Sequence, residues 1–293
     1  MPYNLENKTM IITGANSGIG KAASLQLAKL GATVIMACRS SERGAQAVDD
    51  VCSQVKNAQV ELIQVDMASQ ASIRQFAEAF HSRHTRLDVL IHNAANFDHK
   101  LKKPSLTVDG VETIFATNHV GVFLMTHLLL DRLKASAPSR IITVASKGLI
   151  TYPFLDIEFD NLNGERKFST QHAYYHSKLA QVMFTYYLAE KLKGTGVTAN
   201  CVRVTNVAIP DERLTHLPMW LLKIYHLKRS MSITPERQAD TYVYLAADPA
   251  VQKVTGGYWD ENNQQVRSSG NSYNRETWEK LWRESEKLAG IAI

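Results

Sequence analysis

Cysteine is scarce in this chain, and its pattern excludes two kinds of site. The 293 residues contain three cysteines, Cys38, Cys52 and Cys201, and no Cys-x-x-Cys pair. An odd and dispersed set of thiols argues against a disulfide framework or a structural zinc site, and it favours a reducing compartment. We therefore expect a cytoplasmic protein.

Long apolar runs and blocks of charge are also missing. The first ten residues, MPYNLENKTM, are polar, which argues against a secretory signal. No run of about 18 apolar residues is free of charge, so no membrane-spanning helix is expected. The net charge is +5, but the basic residues are dispersed. This balance argues against a nucleic-acid partner and suits a small anionic ligand such as a phosphorylated cofactor.

Short apolar runs alternate with amphipathic helical runs along the whole chain. The predicted strands are Thr9–Thr13, Thr33–Ala37, Val60–Val65, Leu87–His92, Arg140–Ala145 and Val197–Val204. Between them, apolar residues recur at helical spacing, as in Ile73, Phe76, Ala77 and Phe80. Continuous apolar strands that alternate with helices predict a parallel sheet with helices on both faces. We predict a Rossmann-type, doubly wound α/β fold in a single domain that spans residues 1–293.

Two long connections interrupt this alternation. One is Thr151–Gln171, and the other is an insert at about residues 208–233 that contains LPMWLLKIYHL. Both follow the ends of predicted strands, where ligands bind in sheets of this kind, so both are candidates to wall a substrate pocket. Within the insert, Leu214–Leu227 is predicted to form an apolar lid. The alternative is peripheral contact of residues 214–229 with a membrane surface.

A glycine-rich loop joins the first predicted strand to the first helix. In TGANSGIGK, Gly14, Gly18 and Gly20 allow a tight turn and close approach of the backbone to a pyrophosphate. The free N–H groups at the helix N-terminus then favour the phosphates. This position predicts a dinucleotide site.

The end of the second strand indicates which dinucleotide binds. Proteins that bind NAD tend to carry an acidic residue there, whereas the stretch MACRS has Arg39 and Ser40 and no acid. A guanidinium can hold a 2′-phosphate through two hydrogen bonds. We therefore predict NADP(H), mainly through Arg39.

Two adjacent tyrosines, Tyr174 and Tyr175, precede Lys178 in the stretch HAYYHSKLA. Only Tyr174 lies four residues before Lys178, and residues four apart share a helix face. A phenol has a pKa near ~10, and a neighbouring ammonium lowers that pKa. The pair predicts a proton donor that works near neutral pH.

Taken together, these motifs resemble the short-chain dehydrogenase/reductase superfamily over almost the whole chain. TGANSGIG matches the cofactor loop of that family, TNHVGVF supplies its helix asparagine, TVASK its carbonyl-binding serine, and Tyr174 and Lys178 its Tyr-x-x-x-Lys pair. The stretches ACRS, YYHSKLAQVMFTYYLAEKL and LWRESEKLAG look like the retinol-dehydrogenase-like branch. That branch acts on apolar aldehydes, ketones and alcohols, often with NADP(H).

The resemblance implies a set of site residues. The implied catalytic residues are Asn118, Ser146, Tyr174 and Lys178. The implied contacts with the cofactor are Gly14, Asn16, Ser17, Gly18, Ile19, Gly20, Arg39, Ser40, Asp66, Met67, Asn93, Ala94, Tyr174, Lys178 and Val207.

Each catalytic residue also has an implied role. Tyr174 would donate or accept the proton, Ser146 would bind the carbonyl oxygen, and Lys178 would lower the Tyr174 pKa and hold the nicotinamide ribose. Asn118 would bend its helix and hold a water molecule.

The chain departs from the family at two loops. HNAA stands where the family has Asn-Asn-Ala-Gly, so that His92 and Ala95 replace the first and last residues. Thr205 and Asn206 stand where it has Pro-Gly. The second change falls on the loop that meets the nicotinamide.

Two helical runs are apolar on nearly all faces. These are VGVFLMTHLLLDRL and the segment Tyr174–Leu192. Because fully apolar helices are buried, we predict that they pack against a second subunit in a homodimer or homotetramer. His92, His119, His172 and His176 lie near the motifs without metal-ligand spacing, so we expect them to be structural and expect no metal.

The leading hypothesis is an NADP(H)-dependent carbonyl reductase or alcohol dehydrogenase. The alternative is a binding protein with little turnover that senses NADP(H) or acts through partners. A sugar-nucleotide epimerase usually has a G-x-x-G-x-x-G loop, which this chain lacks.

Overall fold

Seven parallel strands form one sheet in the computed structural model, which describes residues 3–98, 101–207 and 232–291. In chain order they are β1 (Thr9–Thr13), β2 (Thr33–Cys38), β3 (Val60–Gln64), β4 (Val89–His92), β5 (Ser139–Ser146), β6 (Val197–Val204) and β7 (Tyr258–Trp259). Their order across the sheet is β3-β2-β1-β4-β5-β6-β7. The chain therefore winds outward from β1 to one edge, returns to β4, and winds to the other edge. This reversal leaves a crevice between the carboxyl ends of β1 and β4.

Seven helices cover the sheet within the described part of the chain. They are α1 (Gly18–Lys29), α2 (Ser41–Cys52), α3 (Gln70–Arg83), α4 (Thr113–Ala135), α5 (Thr170–Lys191), α6 (Pro235–Ala247) and α7 (Arg275–Leu288). Short 3₁₀ turns lie at Lys147–Thr151, Pro249–Val251 and Gly270–Tyr273. Hydroxyl or amide side chains accept a backbone N–H at the start of five helices, which satisfies donors that the helix leaves free. These capping residues are Ser40, Ser69, Ser169, Thr234 and Asn274.

Two apolar clusters hold the layers together, one on each face of the sheet. Alternate residues of a strand point to opposite faces, so Ile11 belongs to one cluster while Met10 and Ile12 belong to the other. Helices α1, α2 and α6 pack on the face of Met10, and helices α3, α4, α5 and α7 pack on the face of Ile11. The predicted parallel sheet with helices on both faces is confirmed.

Helix α4 is long and apolar enough to span a membrane by length and composition alone, with a mean hydropathy of 1.4. In the fold, 72% of its most apolar window is buried. The core helix of a globular domain has this same character, so the burial accounts for the composition.

Helix α7 covers part of the apolar surface of α4 and α5. The Trp282 ring lies 4.9 Å from Phe123 on α4 and 5.9 Å from Phe184 on α5, measured between ring centroids. Lys191 Nζ lies 4.9 Å from the centre of the same indole ring. The prediction of a second subunit depended on this apolar surface needing cover. The chain itself covers part of it, so the argument for an oligomer is weaker than the sequence indicated.

The ends of the predicted insert lie together at the sheet. Val207 and Ile233 form an isolated parallel bridge, and the Ile233 N–H donates to the Asn206 carbonyl at 3.0 Å. The proposed lid and the alternative membrane contact fall on residues 208–231, which lie outside the described residues.

Candidate active site

The glycine loop takes a conformation that side chains would obstruct. Gly14 has φ +66°, in the left-handed region that favours glycine. A Cβ on Gly14 would lie 2.9 Å from the Ala94 Cα, and a Cβ on Gly20 would lie 2.6 Å from the Asn93 amide nitrogen. Both glycines therefore let the loop pack against the residues that follow β4. Helix α1 begins at Gly18, directly after this turn.

A cleft of about 520 Å³ opens above the glycine loop at the carboxyl ends of β1, β2 and β4. Most of the predicted cofactor residues line it, namely Gly14, Asn16, Ser17, Gly18, Ile19, Arg39, Ser40, Asp66, Met67, Asn93, Ala94 and Val207. Three predicted contacts, Gly20, Tyr174 and Lys178, do not line it. Gly20 instead packs against the Gly14 carbonyl and Asn93. Residues that the sequence analysis missed also line the cleft, namely Ala37, Arg43, Val65, Ala95, Asn96, Thr117 and Pro235.

Two guanidinium groups stand on the β2 side of this cleft. Arg39 follows β2, and Arg43 lies in the first turn of α2. The Ser40 hydroxyl accepts the Arg43 N–H at 3.3 Å and so fixes the start of the helix. Gln64 Nε2 donates to the Arg39 carbonyl at 3.0 Å. Arg43 was not predicted, although its position in a serine-capped first turn near the end of β2 could have indicated it.

Asn93 joins the loop after β4 to the glycine loop. Its amide nitrogen donates to the carbonyls of Thr13 at 2.9 Å and Gly14 at 3.3 Å, and its Oδ1 accepts from the buried Tyr242 hydroxyl at 3.2 Å. The Ala94 N–H donates to the Thr13 hydroxyl at 2.9 Å. These bonds hold the cleft floor at the crevice between β1 and β4.

Asn118 lies in a π-helical turn, Ala116–Val120, that interrupts α4. Its carboxamide is fully buried and bonds in both directions to Asn96, accepting from the N–H at 2.7 Å and donating to the carbonyl at 3.1 Å. Its Nδ2 also donates to the Ser177 hydroxyl at 2.9 Å. The helix is therefore distorted at Asn118, as the resemblance implied, and the side chain ties α4 to both the cleft loop and α5.

Ser146 and Tyr174 meet at the carboxyl edge of the sheet, at the end of β5 and the start of α5. Their side chains lie near each other, and the Gly148 N–H donates to the Ser146 hydroxyl at 3.2 Å. The ring of Phe97, in the loop after β4, stacks on Tyr174 with 4.2 Å between centroids. Burial raises the pKa of Tyr174 to about 12, and the nearby Ser146 side chain works against this rise.

Lys178 is close to Tyr174 but points into the protein. Its Nζ lies 5.6 Å from the centre of the Tyr174 ring. It donates to the Val144 carbonyl at 2.7 Å and to Gln181 Oε1 at 2.9 Å. Burial lowers the pKa of Lys178 to about 8. The expectation that Lys178 lowers the Tyr174 pKa is not met in this structure, because burial raises that pKa and the ammonium bonds elsewhere.

Tyr175 has a packing role. Its ring contacts Tyr152, with 4.6 Å between centroids. It also fills the space beside Gly148, where a Cβ would lie 2.2 Å from the Tyr175 hydroxyl oxygen. The two adjacent tyrosines therefore have different surroundings, because Tyr174 stacks on Phe97 while Tyr175 packs beside Gly148.

The histidines near the motifs lie in the packing of the domain. His92 Nε2 bonds to the Thr126 hydroxyl at 2.8 Å, and His119 Nε2 bonds to the Ser285 hydroxyl at 2.7 Å. His172 and His176 stack with 5.8 Å between centroids. Across residues 3–98, 101–207 and 232–291, no three His, Cys, Asp or Glu side chains are grouped to hold a metal ion.

Known proteins resemble this chain in both sequence and fold. A family model described as short chain dehydrogenase matches residues 8–155. Retinol dehydrogenase 14 of Homo sapiens is 38% identical over 304 residues, covering 99% of this chain and 88% of that protein. Retinol dehydrogenase 12 of Mus musculus is 37% identical, covering 98% of this chain and 88% of that protein.

Among solved structures, the fold is similar to that of an uncharacterised protein from Mycobacterium paratuberculosis. The TM-score is 0.73 and the identity 27%, and the match covers 99% of this chain and 96% of the other. The fold is therefore shared with a solved structure over almost the whole chain.

Proposed function

This chain belongs to the short-chain dehydrogenase family, in its retinol-dehydrogenase-like branch, and we propose that it uses NADP(H) to interconvert an apolar carbonyl compound and its alcohol. The observation that carries the proposal is that Ser146 and Tyr174 lie together at the carboxyl edge of the sheet, the edge at which the cleft opens. Family membership makes the protein an oxidoreductase with a small-molecule substrate. The cofactor form and the substrate class are proposals.

The cleft residues fit a nicotinamide dinucleotide. The glycines leave its floor without side chains, and the N-terminus of α1 supplies free N–H groups for phosphates. Arg39 and Arg43 line its β2 side, and the carboxylate that usually marks NAD proteins is absent from the end of β2. Two guanidinium groups would bind a 2′-phosphate, and no acid at the end of β2 would repel it, which favours NADP(H). Asp66, which also lines the cleft, follows β3.

The bound cofactor would supply or accept the hydride. Tyr174 then has the task of donating a proton to the carbonyl oxygen. With a pKa raised to about 12 it carries that proton at neutral pH. Ser146 hydrogen-bonds the same oxygen and stabilises the charge that develops on it. Asn118 keeps α4 and the Asn96 loop in register with α5.

An apolar substrate is supported by the surroundings of Tyr174 and by the relatives. The Phe97 ring lies directly against the Tyr174 ring, so the space beside the hydroxyl has an apolar wall. The two relatives named above are retinol dehydrogenases, and retinol is an apolar alcohol. We propose retinal and similar aldehydes and ketones as candidate substrates.

The test is the consumption of NADPH and of NADH with a panel of apolar aldehydes and ketones that includes retinal. NADPH-dependent turnover is expected in the wild type and in Tyr175→Phe, the matched control one residue away. Tyr174→Phe should lose it by roughly a hundredfold or more, the usual size of general acid catalysis. If Tyr174→Phe keeps wild-type turnover, the mechanism is wrong.

One observation favours the alternative of an NADP(H)-binding protein with little turnover. Thr205 and Asn206 replace the usual Pro-Gly, and the Thr205 N–H is bonded to Gln238 Oε1 at 3.2 Å. Tight NADPH binding without turnover on any carbonyl of the panel would favour this reading over the enzyme.

Cytoplasmic localisation and assembly into a homodimer or homotetramer stay predictions. Helix α7 covers the Phe123 and Phe184 rings, so a subunit contact would have to use other parts of α4 and α5. Light scattering at working concentration measures the oligomeric state, and a monomer would reject the prediction. Flotation with anionic liposomes tests the membrane contact through residues 214–229.

A further inference from the structure

A row of polar side chains runs along the buried face of α5 beneath Tyr174. Lys178, Gln181 and Thr185 are three or four residues apart, so they share one face of the helix. All three are fully or almost fully buried, with relative exposures of 1%, 0% and 0%. Polar side chains at such positions need a reason, because an apolar residue would fill the space without losing hydrogen bonds to water.

Thr185 satisfies its own hydrogen bonds. Its hydroxyl donates to the Gln181 backbone carbonyl at 2.7 Å and bonds to the Thr143 hydroxyl on β5 at 2.6 Å. The hydroxyl pair therefore links α5 to β5. Neither of these two hydrogen bonds of Thr185 involves Lys178.

Gln181 is only half satisfied. Its Oε1 accepts from Lys178 Nζ at 2.9 Å, whereas its Nε2 is buried without a hydrogen-bond partner among the described residues. The orientation of the amide is fixed by chemistry, because an ammonium group has only donors and must face the oxygen. An unpaired buried N–H group costs about 1–3 kcal/mol. Met or Leu at this position would leave no unpaired N–H group and would make the fold more stable. We therefore attribute the presence of glutamine to the contact of its Oε1 with Lys178.

The contact leaves the ammonium with one free donor. Of the three N–H groups of Lys178, one donates to the Val144 carbonyl and one to Gln181 Oε1, and no third acceptor is found among the described residues. Both acceptors favour the charged form, and so they oppose the burial that lowers the Lys178 pKa to about 8.

Two other titratable groups face Lys178, Tyr174 on its own helix and Cys201 on β6. Burial raises their pKa values to about 12 and about 11. Near pH 8 Lys178 is therefore the group of this set that titrates.

We propose that Gln181 is a positioning residue that keeps Lys178 protonated and holds its remaining N–H available to the bound cofactor. The inference rests on the proposed function, since it assigns Lys178 a cofactor to hold. It predicts that cofactor binding depends on Gln181 through the charge of Lys178, with no contact between Gln181 and the cofactor.

The experiment measures the NADPH dissociation constant by fluorescence titration across a pH series that spans the Lys178 pKa of about 8. Gln181→Met removes the acceptor at similar length, and Gln181→Glu keeps an acceptor and adds negative charge. Thr185→Val is the matched control, one turn along the same row. Circular dichroism melts check that each variant is folded.

In Gln181→Met, the pH above which NADPH affinity falls should move down by at least about one unit, which is tenfold in the acidity constant of Lys178. In Gln181→Glu it should stay or move up, and in Thr185→Val it should not move. A Gln181→Met protein with the wild-type pH dependence would overturn the inference. If that variant does not fold, Gln181→Glu decides, because a downward movement there overturns the inference and an unchanged or upward one supports it.

The two proposals fail in different ways. A wild type that binds NADPH but reduces no carbonyl refutes the proposed oxidoreductase reaction, while the pH dependence of binding still decides on Gln181. A wild type that turns over normally, with Gln181→Met unchanged in the pH dependence of both binding and turnover, refutes the role of Gln181 alone. A wild type that binds neither NADPH nor NADH refutes both.

Discussion

Acid should destabilise this protein at a higher pH than its carboxylates alone would require, because three histidines are buried in their neutral form. His92 shows the reason. The Thr126 hydroxyl donates to the Val122 carbonyl and so must accept from His92 Nε2. His92 Nδ1 is buried without a partner among the described residues, so a second proton on the ring would have no acceptor. His119 and His176 are buried with it.

Each of the other two rings is also bonded in a way that opposes a second proton. The Ser285 hydroxyl donates to the Leu281 carbonyl and accepts from His119 Nε2, and His119 Nδ1 has no partner within the described part of the chain. His176 Nε2 accepts the Glu158 N–H at 3.0 Å, so this nitrogen faces a donor. Burial lowers the pKa of His92 and His119 to about 3 and that of His176 to about 4.

The size of the effect follows from linkage. In the unfolded chain an imidazole has a pKa near ~6.5. Between that value and the folded pKa, the unfolded chain binds more protons, so the free energy of unfolding falls as the pH falls. From about pH 7.5 to about pH 5.5 each histidine accounts for about 1.4 kcal/mol, and all three for about 4 kcal/mol. Domains are typically stable by about 5–15 kcal/mol, so this loss is a large part of the total.

Urea unfolding followed by circular dichroism at both pH values measures this difference. His92→Asn is the informative variant, because its amide can still donate to Thr126 but does not titrate. Between about pH 7.5 and about pH 5.5 the free energy of unfolding of this variant should fall by only about 3 kcal/mol. Burial raises the pKa of Glu112, which works in the opposite direction because the folded chain binds that proton first. Glu112→Gln should therefore steepen the fall. A free energy of unfolding that is constant over the interval, or a wild-type slope in His92→Asn, would refute the reasoning.

Three further predictions concern the cleft and α7. Arg39→Glu and Arg43→Glu should each weaken NADPH binding by roughly tenfold to a hundredfold, the size expected for a lost hydrogen bond to a charged group. NADH binding should change little, and an unchanged NADPH/NADH preference would contradict the assignment. Gly14→Ala should lower the free energy of unfolding by at least about 1–2 kcal/mol, because alanine is strained at φ +66° and its Cβ would lie 2.9 Å from the Ala94 Cα; an unchanged melting temperature would contradict it. Trp282→Ala should lower the free energy of unfolding, measured in urea, by about 2–4 kcal/mol, because the half-buried indole contacts rings on both α4 and α5. A smaller decrease would mean that α7 packs only weakly on these helices.

The centre of the sheet could be predicted from the sequence almost to the residue. β1 and β6 have the predicted bounds, and the other four predicted strands differ by at most two residues at an end. The central strands β1 and β4 are buried along their whole length, so their apolar runs are continuous. The edge strand β3 is only partly buried. β7 was missed because Tyr258–Trp259 is too short to show any periodicity. Its pairing with Cys201 and Val202 depends on where the chain returns after α6, which no local pattern contains.

The apolar character of α4 and α5 was predicted correctly, but what covers them was not. Sequence identifies a face that must be buried and does not identify its partner. α7 carries Trp278 and Trp282 four residues apart, which marks an apolar stripe on an otherwise polar helix. The stripe and the apolar helices were both visible in the sequence. That they cover each other follows only from the path of the chain between Gly256 and Asn274.

The sequence also does not identify the hydrogen-bond partners of Lys178, the residue expected to act on Tyr174. Spacing places Tyr174 and Lys178 on one face of a helix. The Lys178 ammonium reaches β5 through the Val144 carbonyl, and the Tyr174 ring stacks on Phe97. Spacing does not say where an ammonium group at the end of a long flexible chain finds its acceptors. Here Lys178 Nζ lies closer to the Val144 carbonyl and to Gln181 than to the centre of the Tyr174 ring. Burial is then the main cause of the pKa shifts of both Tyr174 and Lys178. The pKa of Tyr174 is therefore higher in this structure than the motif implies. A bound cofactor that offers Lys178 a new acceptor would move the ammonium relative to the phenol. The pKa of Tyr174 would then depend on the bound cofactor as well as on the protein.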